Sequence, residues 1–230
     1  STTKIHIDES LAQNKITAML GIEGGLSINN NLDHLRYFYG HGVRRMTLTH
    51  TLSTDWAGSS GDDGNTRGLT KFGEDVVKLM NELGMVVDVA HTSEQTVLAA
   101  ARVTSKPLFC SHSCARAKYN HPRLASDAMI KAVGTTGGVF GVTMVPLFFG
   151  TANKEQVDVW MKDIMTRLGN KTSKQGMTLE GQAQEKAAIF MDTPFQGDIP
   201  HVKDVLPHFD HVIGLIGEDH VGIGTDFDGV

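Results

Sequence analysis

The stretch TKFGEDVVKLMNELGMVVDVAH, residues 70–91, decides the fold. Phe72, Val76, Leu79, Met80 and Leu83 recur at spacings of three and four, so Thr70–Leu83 reads as a helix with one apolar stripe to lay on a sheet. Gly84 supplies the helix stop, and Met85-Val86-Val87 begins a strand at once, running Met85–His91. A strand that is apolar on nearly every residue is buried on both faces, as parallel strands covered by helices are.

The same rhythm recurs outward in both directions. Strands are predicted at Ile16–Glu23, Arg44–His50, Pro107–His112, Gly138–Met144 and His220–Asp226, and helices at Asn31–Gly40, Ser93–Val103, Ser126–Val133 and Val202–Ile216. Repeated strand-helix units mean an α/β fold, either an open doubly wound sheet or a (β/α)8 barrel of the TIM type. Glycine-rich phosphate loops would favour the open sheet. Gly21 and Gly24-Gly25 do not make the Gly-x-Gly-x-x-Gly spacing, and no Gly-Lys-Ser/Thr occurs. Two stretches break the alternation. Trp56–Gly68 reads as a long polar, glycine-rich loop, on the surface near a site or else mobile, and Gly169–Pro200, with a weak helical pattern over Glu180–Ile189, reads as an insertion before the last strand.

With 230 residues, 40% hydrophobic and 20% charged, the chain can bury one substantial core. Its 21 Lys and Arg against 26 Asp and Glu give a net charge of -5, with no basic excess for nucleic acid or an anionic membrane. No apolar run approaches the roughly 18 residues of a transmembrane helix. Cys110 and Cys114 cannot make a disulfide scaffold. Ser1–Ser10 carries no secretory h-region, which leaves the compartment unread and leans only slightly toward the cytoplasm.

The 11 histidines draw attention to where the chemistry sits. In parallel α/β folds it collects where strands end. Five of the six predicted strands end on a group able to bind a metal or move a proton: Glu23, His50, His91, His112 and Asp226. Each also has a plain structural reading: a capping carboxylate for Glu23, satisfied core histidines for His91 and His112, a turn carboxylate for Asp226. Together, at equivalent places on neighbouring strands, they have the geometry a metal site needs. The remaining histidines read as structural. His34 and His41 are solvated, His121 is a loop residue, and His201, His208 and His211 follow the spacing of an amphipathic helix. His6-Ile7-Asp8 lies in a polar stretch and reads as coincidence.

Ile22-Glu23-Gly24-Gly25, Thr47-Leu48-Thr49-His50, Asp88-Val89-Ala90-His91-Thr92-Ser93, Ser111-His112-Ser113 and Gly224-Thr225-Asp226-Phe227-Asp228-Gly229 resemble, in order, the motifs of the membrane (renal) dipeptidase family of zinc peptidases. The resemblance implies a barrel that hydrolyses dipeptides by a metal-bridging hydroxide on two Zn2+ ions. Carried over, Glu23 would be the bridging carboxylate, with His91 and His112 completing the second metal's ligands. His50 would hold the carbonyl oxygen as it becomes an oxyanion, and Asp226 would handle the proton. Arg123 would clamp the terminal carboxylate of the dipeptide, since a guanidinium fork suits a carboxylate bidentately; its plain reading is a surface arginine. A dipeptide is the expected partner, and a homodimer is compatible.

The family carries a His-x-Asp pair for the first metal far upstream of the bridging glutamate, and only 22 residues precede Glu23 here. The six strands would then be the last six of eight, and residues 1–230 a single incomplete barrel lacking N-terminal strands and C-terminal helices. Such a chain is expected to hold at most the Glu23, His91, His112 site and to show little or no turnover alone. Two competitors stand beside this reading: an amidohydrolase-type metal hydrolase acting on a non-peptide substrate, and a degenerate barrel serving as a binding module. Glu23 with Arg123 favours a substrate bearing a free carboxylate, and retention of His50 and Asp226 argues against a scaffold.

Overall fold

The structure, a computed structural model, describes residues 2–62, 66–149 and 200–227, together with scattered residues between 156 and 197. Among them, six strands form one sheet: β1 (Leu20–Glu23), β2 (Val43–Thr47), β3 (Val86–Asp88), β4 (Phe109–Ser113), β5 (Val139–Thr143) and β6 (Val221–Gly224). All neighbouring pairs are parallel, and the strands lie side by side in chain order. A doubly wound sheet reverses its strand order at a switch point, whereas a barrel winds in one direction, so the order settles the fold as the (β/α)8 type, with six strand-helix units present. Each strand overlaps its predicted segment.

Helices α2 (Leu32–Gly40), α3 (Lys71–Leu83), α4 (Glu94–Val103), α5 (Asp127–Thr135) and α6 (Leu206–Ile216) follow β1 to β5 in turn, after α1 (Lys4–Ala12) at the start. Their ends are written in the sequence. The side chains of Asn31, Thr70, Ser93 and Ser126 accept from the backbone N–H of Asp33, Gly73, Thr96 and Met129, so four helices begin on a side-chain cap. Gly84 ends α3 with φ +78°, a left-handed turn that a side chain would resist, and this lets β3 start immediately. The predicted helix Val202–Ile216 is divided: Val202–Val205 is a 3-10 turn, and α6 starts beside Pro207, whose missing N–H does no harm in a first turn.

Val76, Leu79 and Met80 of α3, Val97 and Ala100 of α4, and Ile130 and Val133 of α5 pack with Met46, Val87 and Phe140 of the strands, and with Leu108 just before β4, in one core. Each fully buried aliphatic side chain of this kind contributes about 1.5–3 kcal/mol.

One local expectation is corrected and two are made more specific. Helix α1 occupies a stretch read only as polar; it buries no side chain, so it has no apolar period to detect, and it rests on the Thr3 cap and the Lys4–Asp8 ion pair. The Trp56–Gly68 segment, read as a surface loop, turns inward: Trp56, Ala57, Ser59 and Ser60 are buried, while residues 63–65 lie outside the described ones. Polar loop composition hid this because its hydroxyls are satisfied by backbone rather than by water. His208, read as structural from its helical spacing, is 2% exposed and lies on the buried side of α6. The predicted insertion Gly169–Pro200 falls largely outside the described residues.

Candidate active site

The register of the sheet builds the site. Glu23, the last residue of β1, pairs with Thr47 of β2, which pairs in turn with Asp88 of β3, so three polar residues stand in one row. In β4 the register shifts between Cys110 and Ser113, and this irregularity carries Ser111 and His112. Glu23 Oε1 lies 3.3 Å from His91 Nε2 and 3.3 Å from His112 Nε2, and the two imidazole nitrogens are 2.9 Å apart. Asp226 Oδ2 is 3.9 Å from His112 Nε2, and the rings of His50 and His91 lie 4.5 Å apart between centroids. The five predicted strand-end groups therefore meet at one end of the sheet.

His91 and Asp226 both sit in the left-handed region, at φ 62° and 56°. Such residues persist only where their surroundings hold them. The inward-turned loop supplies the hold: Ser60 N donates to His91 O at 2.7 Å, and the Ser59 and Ser60 hydroxyls donate to the same carbonyl at 3.2 and 3.0 Å. Ser59 Oγ also donates to His50 O at 2.6 Å, so one loop fixes two of the histidine backbones.

The electrostatics suit a metal. Hydrogen bonding to His91, with the charges of the neighbouring histidines, holds Glu23 down to about 2, overriding the opposite pull of burial. Burial pushes His112 down to about 4, helped by the Arg123 charge, and burial likewise lowers His91. The carboxylate is charged and the imidazoles neutral at pH 7, the states in which each binds a cation. Around zinc, bonds of about 2.0–2.1 Å to nitrogen and oxygen set adjacent ligand atoms about 3.3 Å apart. The observed triangle is close to that, and one carboxylate with two imidazoles is a zinc-type donor set. Among the described residues, Glu23, His91 and His112 are the group able to hold an ion.

Arg123 is not a surface arginine. It is 9% exposed, its Nη2 donates to His112 O at 3.0 Å, and its Nε has no hydrogen-bond partner. Phe148 lies against it, with the guanidinium carbon 5.6 Å from the ring centroid, and His121 meets the same ring at 5.4 Å. Of the two phenylalanines after β5, Phe149 is core and Phe148 is half-buried beside Arg123. His6 and Asp8 belong to exposed α1, paired with Thr2 and Lys4, as expected of residues outside the site.

Sequence reasoning missed a second tier of residues. Arg45 of β2 forms an ion pair with fully buried Asp88 of β3 beneath the cluster. The available signals were the acid inside the apolar run of β3 and the arginines within β2. His208 Nδ1 accepts from Ala115 N–H at 3.1 Å, tying α6 to the loop that carries Arg123.

The family profile for membrane dipeptidases, peptidase family M19, matches residues 1–230. Dipeptidase 3 of Homo sapiens is 30% identical over 220 residues and that of Mus musculus 31%, each alignment covering 94% of this chain. The chain spans 36% of the length of these relatives. The probable dipeptidase PvdM from Pseudomonas aeruginosa superimposes with a TM-score of 0.79 at 21% identity, covering 99% of this chain and 62% of that one. A metallo peptidase from Rhodobacter sphaeroides, solved with a phosphinate mimic of the dipeptide L-Ala-D-Ala, gives 0.74 at 23% identity, covering 100% and 55%. These two likenesses show the same fold. With the profile match over its whole length, the chain belongs to the membrane dipeptidase family, peptidase family M19.

Proposed function

We propose that the protein of which this chain is part hydrolyses dipeptides with the help of bound zinc, two ions in the complete site, one of them held by Glu23, His91 and His112. The observation that carries this reading is the convergence of those three ligand atoms within 4.8 Å of one another, beside a buried arginine with an unsatisfied Nε. Zinc bound there would supply a water acidified toward neutral pH and a Lewis acid for the scissile carbonyl.

The chain's own residues supply the rest. Asp226, beside His112, takes the proton of the attacking water and returns it to the leaving amine. His50, its ring tilted against that of His91, donates to the carbonyl oxygen as negative charge develops there. Arg123 pairs with the free carboxylate of the dipeptide; sunk below the surface, its charge is screened little by water, which favours an anionic substrate terminus over a neutral one. Glu23 would be the carboxylate shared by the two metals, as the family resemblance implies. The strands on either side of the described sheet are proposed to be completed by the parent protein, making the present six part of eight.

The test is turnover by the purified full-length protein loaded with zinc, on a panel of dipeptides and their C-terminal amides. Hydrolysis of the acids but not of the amides is expected, with loss of turnover after chelation. Absence of turnover on every dipeptide by the zinc-loaded protein would overturn the reading.

A further inference from the structure

Beneath the ligand triangle lies a charged layer, the Arg45–Asp88 ion pair. Asp88 is completely buried, and both of its oxygens are used twice. Oδ2 accepts from Arg45 Nη1 and from Thr47 Oγ1 at 3.0 Å; Oδ1 accepts from the backbone N–H groups of Ala90 and Ser111, each at 3.0 Å. Arg45 Nη1 reaches on to Ser111 Oγ at 3.3 Å, and Ser111 Oγ stands 2.8 Å from His112 Nδ1. An ion pair between β2 and β3 is thus wired to a ligand on β4.

Room for Arg45 is made by a neighbour. A Cβ on Gly21 would lie 2.8 Å from both Nε and Nη2 of Arg45, closer than real contacts allow. Gly21 is two residues before Glu23 in β1 and so shares its face of the strand. A guanidinium therefore crosses the bare backbone of β1 directly below the carboxylate ligand, and Asp88 keeps it from swinging away.

We infer that Arg45, anchored by Asp88 and admitted by Gly21, is a positioning residue for the metal ligand His112, acting through the Ser111 hydroxyl. The guanidinium has donors only, so it meets Ser111 Oγ on a lone pair and holds that oxygen in front of His112 Nδ1. The other lone pair accepts the Nδ1 proton, which leaves the Nε2 lone pair directed at Glu23 and His91. Outer partners of this kind fix the tautomer and ring orientation of a ligating histidine. The inference rests on the metal-site reading above, but it makes a separate claim about which residues set the affinity.

The experiment measures zinc affinity by chelator competition, and the visible absorption of the cobalt-substituted protein, in full-length Ser111→Ala, Ser111→Thr and Gly21→Ala variants. Ser111→Ala leaves the Arg45–Asp88 pair in place, so a merely structural pair predicts no change. Positioning predicts zinc binding weakened about 10–100-fold, an altered cobalt spectrum, an unchanged melting temperature, and recovery of most of the affinity in Ser111→Thr. Gly21→Ala displaces the guanidinium without touching Ser111 or a ligand, and is expected to weaken zinc in the same sense. Parent-like zinc affinity and cobalt spectrum in a folded Ser111→Ala protein would overturn the inference while leaving the metal site standing. A parent protein that takes up no zinc would instead bring down the metal-site reading itself.

Discussion

The two ends of the sheet are built on opposite principles. At the carboxyl end, Glu23, His91 and His112 crowd within 3.3 Å of one another, Asp226 lies 3.9 Å from His112, and a buried Arg123 stands behind them. At the amino end, Met19, Met85, Leu108, Phe109 and Val139 line a cavity of about 450 Å3, walls with almost nothing to bond. The difference teaches where stability and chemistry are kept apart. Apolar contacts hold the strands from below, so the groups above can be chosen for reactivity rather than for packing.

The contrast is broken most strongly from the polar side. On the proposed reading His112→Ala removes a zinc ligand and leaves Ser111 Oγ with Arg45 alone; zinc retention, read by elemental analysis after dialysis, is expected to fall by more than the roughly 100-fold that an outer partner controls. From the apolar side, Leu108→Ala empties a position that is 1% exposed. It is expected to lose about 2–5 kcal/mol of stability in urea unfolding, with the zinc-to-protein ratio unchanged. If that ratio falls with stability, the two ends are coupled and the separation fails.

Arg123→Met sharpens the comparison within the polar end. On the proposed reading it raises KM for dipeptides by at least about tenfold, or about 1.4 kcal/mol, with a smaller effect on kcat, as steady-state kinetics would reveal. A change confined to kcat would place the arginine at the reacting atoms instead.

The smallest expected effect concerns His208, which joins the two styles: a polar group buried as deeply as the core. Burial pushes its pKa down to about 4, against an ordinary value of 6.5. The unfolded chain therefore takes up this proton at higher pH than the folded one, and folded stability gains with rising pH between about 4 and 6.5. The contribution is full above 6.5 and is lost as acid carries the protein toward 4. In metal-free protein, His208→Asn is expected to flatten the melting temperature across that window relative to the parent. An identical slope in both would deny His208 this role.

Much of the layout was legible in the sequence because periodicity and strand ends are local signals. All six strands, five helices and the five groups that meet at the site follow from residues read a few at a time. What escaped depends on distant partners. Helical spacing places His208 on an amphipathic helix, but spacing alone cannot tell that loops after β4 and β5 close over it. Asp88 passed as one residue of an apolar run, since its four donors come from Arg45, Thr47, Ala90 and Ser111, up to 43 positions away. Ser59 and Ser60 lay in a stretch whose composition signals exposure, and only the fold reveals that two histidine carbonyls take the place of water.

The left-handed backbones of His91 and Asp226 carry an evolutionary consequence. An L-residue with a side chain held in that region costs of order 1–3 kcal/mol, which glycine, and to a lesser degree asparagine, would relieve. A library of this protein selected for heat resistance alone would drift toward glycine or asparagine at exactly two of the positions where the site gathers, growing sturdier as it lost its chemistry.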